Sequence, residues 1–417
     1  MLRTFKSRKV QCRKSVGGLL LLLLLITAAP AWTGNATLAQ KGPNRIKEAA
    51  FVRGRILVQF RSETSSFRAR SIVLSLGAQV DEEIPQIGVQ VVKLPVAANE
   101  EAFVRAFAAQ PEVAFAELDR LFPPDDITPN DYYYPYEWHL TKISAPQAWT
   151  VTTGSSDVII AIIDTGVDST HPDLSGKMVS GWNFFDNNSN TSDVYGHGTA
   201  VAGAAAAISN NGMGVASLAW GCLIIPVRVS DTQGNASGSA IANGLRWAAD
   251  NGARVANISY NVTGSATVTS AAKYFQQKGG VVTVSAGNDA TFNPSPDNRY
   301  VLTVSASSNL DRVASFSNTG NNIDLSAPGT EILTTFSGGG YGYGSGTSFS
   351  APIVAGIAAL VMSADSTLSP AKVQDILEQS SDDLGPPGWD PGYGWGRVNA
   401  AKAVAMAQGG TPRPPHR

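Results

Sequence analysis

Two apolar patterns divide this chain. Between 51 and 122, short strand-like runs at 55–60, 89–94 and 113–117 are interleaved with amphipathic, helix-period segments at 65–76 and 99–109, which predicts a small α+β unit. From 149 onward, nearly continuous β-branched runs at 158–163, 223–229, 254–259, 281–285 and 301–305 alternate with helical patterns at 198–208, 240–251, 266–278 and 350–363. Runs without polar alternation suit strands buried on both faces of a parallel sheet. The expected architecture is an α/β domain, a mostly parallel sheet with helices on both faces, behind a smaller α+β domain. Sheets of that kind hold their ligands at the carboxyl ends of the strands, so the residues that follow 163 and 285 fall on the functional edge.

Composition sharpens the division. The 41 glycines concentrate after 150, where tight strand-to-helix turns are needed, while 51–122 is glycine-poor and richer in charge. With 43% hydrophobic and 15% charged residues and a net charge of -2, the chain is globular and carries no nucleic-acid footprint. Arg3, Lys6, Arg8, Lys9, Arg13 and Lys14 precede an apolar stretch at 19–26, and small residues follow it. That is the pattern of a signal peptide over 1–39, with an apolar core too short for a permanent span. The expectation is a secreted protein, extracellular or periplasmic, without stable membrane association. Cys12 falls in the signal, so Cys222 is the single mature cysteine and no intrachain disulfide can form. Pro123-Pro124-Asp125-Asp126 reads as a cleavable linker, and 406–417 as a tail rich in Pro and Arg.

Three remote segments carry chemistry: Asp164-Thr165-Gly166 after an apolar run, Gly196-His197-Gly198-Thr199 opening an Ala-rich helix, and Gly346-Thr347-Ser348 opening another. They offer an acid, a base and a nucleophile in the order Asp, His, Ser. Each alone has a plain alternative, since Asp can cap a turn and Ser can cap a helix. An aspartic protease would need a second Asp-Thr-Gly or Asp-Ser-Gly, and there is none. A lipase-type hydrolase would need Gly-x-Ser-x-Gly and the order Ser, Asp, His.

With these motifs stand Ala145-Pro146-Gln147-Ala148-Trp149, His171-Pro172-Asp173-Leu174, Ser285-Ala286-Gly287-Asn288, Ala327-Pro328-Gly329 and 393–400. From about 130 to 404 the chain resembles the subtilisin-like serine proteases, most closely their thermitase-like branch, and the 51–122 unit is similar to the family's inhibitory, ferredoxin-like propeptide. The resemblance implies a serine endopeptidase made as an autoprocessed zymogen, with a catalytic domain over 127–405. Ser348 would attack the peptide carbonyl, His197 would move the proton, Asp164 would hold the imidazole, and Asn288 would meet the oxyanion. It also implies peptide binding by strand addition along Gly234-Asn235-Ala236 and Ser259-Tyr260-Asn261. Asn261 stands where the family usually has Gly, which narrows the entrance to the primary pocket. A structural Ca2+ is implied, held by Asp131, Asp173, Ile208, Asn211, Met213 and Val215; Asp186 with Asn183 and Asn188 forms a weaker candidate site. The expected partners are protein or peptide substrates and the chain's own propeptide, on a monomer.

Overall fold

The computed structural model describes residues 51–121 and 126–410, and their contacts fall into two units divided after Phe122. The expected signal peptide, Cys12, Pro123 to Asp125 and the end of the tail lie outside the described residues.

The first unit runs β1 (Phe51–Phe60), α1 (Ser66–Ser75), β2 (Gln79–Ile84), β3 (Val89–Lys93), α2 (Glu100–Ala108) and β4 (Val113–Arg120). Its sheet has the order β2-β3-β1-β4 with every pairing antiparallel, the ferredoxin-like arrangement that the family resemblance implies. Both helices begin at side-chain caps, Ser65 Oγ accepting from Arg68 N and Asn99 Oδ1 from Ala102 N, which satisfies an otherwise orphaned donor in each first turn. Ile56, Val58, Ile72, Val73, Val92, Phe107 and Val113 form the core. β2 has no counterpart in the hydrophobic pattern because all six of its residues are exposed; pairing with β3 alone makes it a strand.

The second unit opens with two short helices, α3 (Trp138–Lys142) and α4 (Ala145–Trp149). It continues through β5 (Ile159–Asp164), β6 (Trp182–Asn183), α5 (His197–Ala206), β7 (Leu223–Arg228), α6 (Gly238–Asp250), β8 (Ala253–Ile258), α7 (Ala266–Gln277) and β9 (Val281–Ser285). Then come β10 (Phe292–Asn293), β11 (Leu302–Ser307), β12 (Thr319–Gly320), β13 (Leu325–Pro328), β14 (Ile332–Phe336) and β15 (Gly340–Gly344). The chain closes with α8 (Thr347–Ala364), α9 (Pro370–Gln379) and α10 (Ala400–Ala407). Seven strands form one parallel sheet in the order β13-β11-β9-β8-β5-β7-β6.

The sheet is apolar on both sides, and β5 shows why its run has no polar alternation. Ile160 and Ile162 belong to the core shared with α5 and α8, whereas Ala161 and Ile163 belong to a second core shared with α6 on the opposite face. α8 is long and apolar enough to cross a membrane, but 89% of its apolar window is buried inside this unit, so it is a core helix. Register then fixes the functional edge. Ile163 pairs with Ile258, and Ile258 with Val284, so Asp164, Ser259 and Ser285 emerge level with one another at the carboxyl ends of three adjacent strands.

Candidate active site

Asp164, the last residue of β5, and His197, the first of α5, meet across 33 residues of chain. His197 Nδ1 lies 2.7 Å from Asp164 Oδ1, which also accepts the Thr165 N–H at 2.7 Å; Asp164 Oδ2 is buried without a hydrogen-bond partner among the described residues. Such proximity demands a glycine. A Cβ on Gly198 would stand 2.1 Å from Gly166 O and 3.2 Å from Asp164 Oδ1, so helix and strand end touch backbone to backbone. Burial of the His197 ring opposes its protonation, yet the Asp164 charge, the Asp164 hydrogen bond and the more distant Asp193 charge outweigh it and hold the imidazole pKa above its ordinary value.

Ser348 occupies the first turn of α8, next to Phe349, whose ring centroid is 6.4 Å from that of His197. Its hydroxyl is turned to Ser259 O at 3.4 Å and makes no hydrogen bond to the imidazole. The opposite contact has a cause in the sequence. Pro352 has no N–H, so the Ser348 carbonyl four residues earlier is left without its helical donor. The Ser259 hydroxyl donates to that carbonyl at 3.0 Å and is itself held by Asn257 Nδ2 at 2.8 Å, with Thr283 Oγ1 donating to Asn257 Oδ1 at 3.0 Å. A buried polar chain across β9 and β8 therefore ends on Ser348.

Asn288 follows β9. Its Oδ1 accepts both the backbone N–H and the hydroxyl of Thr347 at 2.9 Å, which turns Nδ2 away from that turn. A Cβ placed on Gly346 would sit 3.3 Å from Asn288 Nδ2 and 3.7 Å from Ser348 N. Two N–H donors, one of them an orphan of a helix start, thus lie close to one point beside Ser348. The two expected peptide-binding segments are also joined, because Tyr260 Oη donates to Gly234 O at 3.1 Å. Asp231 shapes the first segment by accepting the N–H groups of Gln233 and Asn235 at 2.9 Å, and Ala236 bridges back to Ser230.

Asp193 is the participant that sequence reasoning missed. Its Oδ1 accepts Thr165 Oγ1 at 2.7 Å and Gly196 N at 2.7 Å, and its Oδ2 accepts Thr199 N at 2.8 Å, while Thr165 Oγ1 in turn accepts Gly198 N at 2.9 Å. One carboxylate thereby ties the turn after Asp164 to the start of the His197 helix. Burial would raise its pKa, but these donors hold it below the usual carboxylate range. Its place four residues before His197 was the available signal, masked because a lone Asp in a loop is common.

The residues expected around calcium also converge. Asp131 accepts Asn210 N at 2.6 Å, Asp173 accepts Asn211 Nδ2 and Val215 N at 2.9 Å, and among the described residues no basic side chain forms an ion pair with either carboxylate. The carbonyls of Ile208, Met213 and Val215 accept no hydrogen bond among the described residues. Burial raises the Asp131 pKa, and the nearby Asp173 charge adds to it. Glu137, also buried against this charge, leaves Oε1 unpartnered. Among the described residues no three His, Cys, Asp or Glu side chains form a metal cluster, but uncompensated carboxylates with free carbonyls fit a hard, oxygen-seeking cation. At the weaker second candidate site, Asp186 Oδ2 pairs with the Arg228 guanidinium at 3.0 Å, which already supplies positive charge beside that carboxylate.

The model of the subtilase family matches residues 155–396, and that of the fervidolysin N-terminal prodomain matches 39–119. A thermophilic serine proteinase of Bacillus sp. (strain AK1) is 38% identical over 363 residues, covering 86% of this chain and 89% of that protein. Thermitase of Thermoactinomyces vulgaris is 41% identical, covering 66% of this chain and 99% of thermitase. Fervidolysin from Fervidobacterium pennivorans, a keratinolytic enzyme, superposes with a TM-score of 0.58 at 28% identity, over 88% of this chain and 62% of its own. A protease of Pseudoalteromonas arctica does so with a TM-score of 0.62 at 32% identity, over 67% of this chain and 100% of its own. The chain belongs to the subtilase family of serine proteinases and carries an N-terminal prodomain ahead of its protease domain.

Proposed function

We propose that this subtilase is a secreted endopeptidase that cuts protein or peptide substrates with an Asp164-His197-Ser348 triad, and that its 51–122 unit is removed from the 127–405 catalytic domain by the enzyme itself. The observation that carries the reading is the 2.7 Å contact of His197 with Asp164 on the same sheet edge as Ser348 and the paired donors of Asn288 and Ser348. Ser348 Oγ, released from Ser259, bonds to the scissile carbonyl carbon as His197 Nε2 takes its proton. The carbonyl π pair moves onto oxygen, where Asn288 Nδ2 and the Ser348 N–H receive it. His197 then gives the proton to the leaving amine nitrogen as the C–N bond breaks, and water repeats the sequence on the acyl ester. Asp164 keeps the Nδ1 proton in place and stabilises the imidazolium. Substrate backbone lies as an added strand between Gly234-Asn235-Ala236 and Ser259-Tyr260-Asn261.

Asp131, Asp173 and Asn211, with the carbonyls of Ile208, Met213 and Val215, would hold a structural calcium ion, whose charge offsets the buried carboxylates. The basic and apolar leader at 1–39 supports export to the periplasm or the medium, and the working form is a monomer. The test is incubation of the purified full chain and its Ser348→Ala variant, followed by N-terminal sequencing and fluorophosphonate labelling. The wild type acquires a new N-terminus near the unit boundary and takes label at Ser348; the variant stays intact. Equal processing of both proteins would remove Ser348 from the reaction.

A further inference from the structure

We propose that Asn261 closes the primary specificity cleft to large side chains, so that this enzyme cleaves after small residues, alanine and glycine foremost. The proposal rests on the triad reading, because that reading fixes where the scissile residue lies. With its carbonyl carbon over Ser348 Oγ and its oxygen toward Asn288 Nδ2 and Ser348 N, the residue before the bond projects its side chain between the carboxyl ends of β8 and β9. Ser259 to Asn261 bound that cleft on one side and Ala286 to Asn288 on the other.

The gap between these walls is already taken. Asn261 Nδ2 stands 2.8 Å from the position a Cβ would occupy on Gly287, so the amide reaches across to the opposite backbone. Asn261 is exposed, at the mouth of the cleft, but its side chain is not free: Oδ1 accepts the N–H of Thr263 at 3.2 Å, which points Nδ2 inward. The far wall cannot retreat. Against the same Cβ position stands the buried Asn318, its Nδ2 2.3 Å away, bonded to Ala286 O at 3.1 Å and, through Oδ1, to Asp289 N and Thr291 N, which fixes this stretch of backbone. An aromatic ring needs about 3.5–4 Å to the atoms on each of its faces, so it enters only if Asn261 gives up its turn and swings out. A methyl group needs no such movement.

The experiment uses the autoprocessed enzyme and three tetrapeptide p-nitroanilides that differ only in the residue before the scissile bond: Ala, Leu or Phe. The wild type hydrolyses the Ala substrate with a kcat/KM about tenfold or more above that for Phe, within the discrimination shape alone can give a pocket. Asn261→Gly raises the Phe-to-Ala ratio of kcat/KM at least tenfold, and Asn261→Asp, which keeps the shape, leaves the wild-type order. A wild type that prefers Phe, a ratio unmoved in Asn261→Gly, or an Asn261→Asp enzyme as relaxed as the Gly variant overturns the proposal. Absence of both hydrolysis and fluorophosphonate labelling in the wild type overturns the triad reading, and this inference with it.

Discussion

Gly198→Ala tests whether contact between the His197 helix and the Asp164 strand end sets activity. The new Cβ would lie 2.1 Å from Gly166 O, and real Cβ atoms essentially never approach within 3.0 Å, so strand end and helix start must part by about 0.9 Å. Carried onto the 2.7 Å bond between His197 Nδ1 and Asp164 Oδ1, that displacement gives about 3.6 Å, beyond hydrogen-bond range. The imidazole then loses the partner that fixes its tautomer. A misplacement of about 1 Å costs on the order of 10²-fold in rate, so kcat/KM should fall 10²-fold or more with the active sites titrated. Overpacking costs about 1–3 kcal/mol, a fall of roughly 2–12 °C in melting temperature at about 2–4 °C per kcal/mol for a domain of this class. Active-site titration with a fluorophosphonate, initial rates and a calorimetric melt read both quantities. A Gly198→Ala enzyme with kcat/KM within twofold of wild type would refute the reasoning, because it would mean the Asp164 contact can be lost without consequence.

Three further outcomes follow from the same site. His197 must be neutral to accept the Ser348 proton, and its pKa is held above the ordinary value, so activity rises with pH through a limb displaced upward from about 6.5. Asp193→Asn removes one of the charges responsible, and the limb in kcat/KM should move to lower pH; an unmoved limb would separate Asp193 from the imidazole. Asn288→Ala should lower kcat about 10²–10³-fold with KM nearly unchanged, the scale measured for the side-chain donor of a subtilisin, and a change confined to KM would contradict an oxyanion role. Chelation should lower the melting temperature of the mature enzyme by about 5–10 °C if calcium fills its site at roughly a hundred times its Kd, and the shift should vanish in Asp173→Asn; a chelator-insensitive melt would exclude the ion.

Local pattern carried β5, β7, β8, β9 and β11 of the parallel sheet, because strands buried on both faces leave uninterrupted apolar runs, and it passed over the two-residue β6 at the sheet's edge. It failed where an element owes its existence to a partner. β2 is wholly exposed and is a strand only by pairing with β3. β13 is four residues ending in Pro328, and β14 with β15 is a hairpin whose second strand alternates Gly and Tyr. α9 and α10 begin at Ser369 and Asn399 caps, and these signals were present but went unread beside the longer helices.

The candidate site divides the same way. Motif order by itself picked out Asp164, His197 and Ser348 as a set, since acid, base and hydroxyl each occur in a turn that suits them, and the family resemblance added Asn288. Only tertiary structure decided that Asp193 joins two of those turns, that Ser259 answers the carbonyl Pro352 leaves open, that Arg228 pairs with Asp186, and that the Asn261 amide reaches the Gly287 wall. The reason is that periodicity and motifs are properties of neighbouring residues. The contacts of Thr165 with Asp193 and of Ser259 with Ser348 join residues 28 and 89 positions apart, and the level of parallel strands in one sheet brings them together.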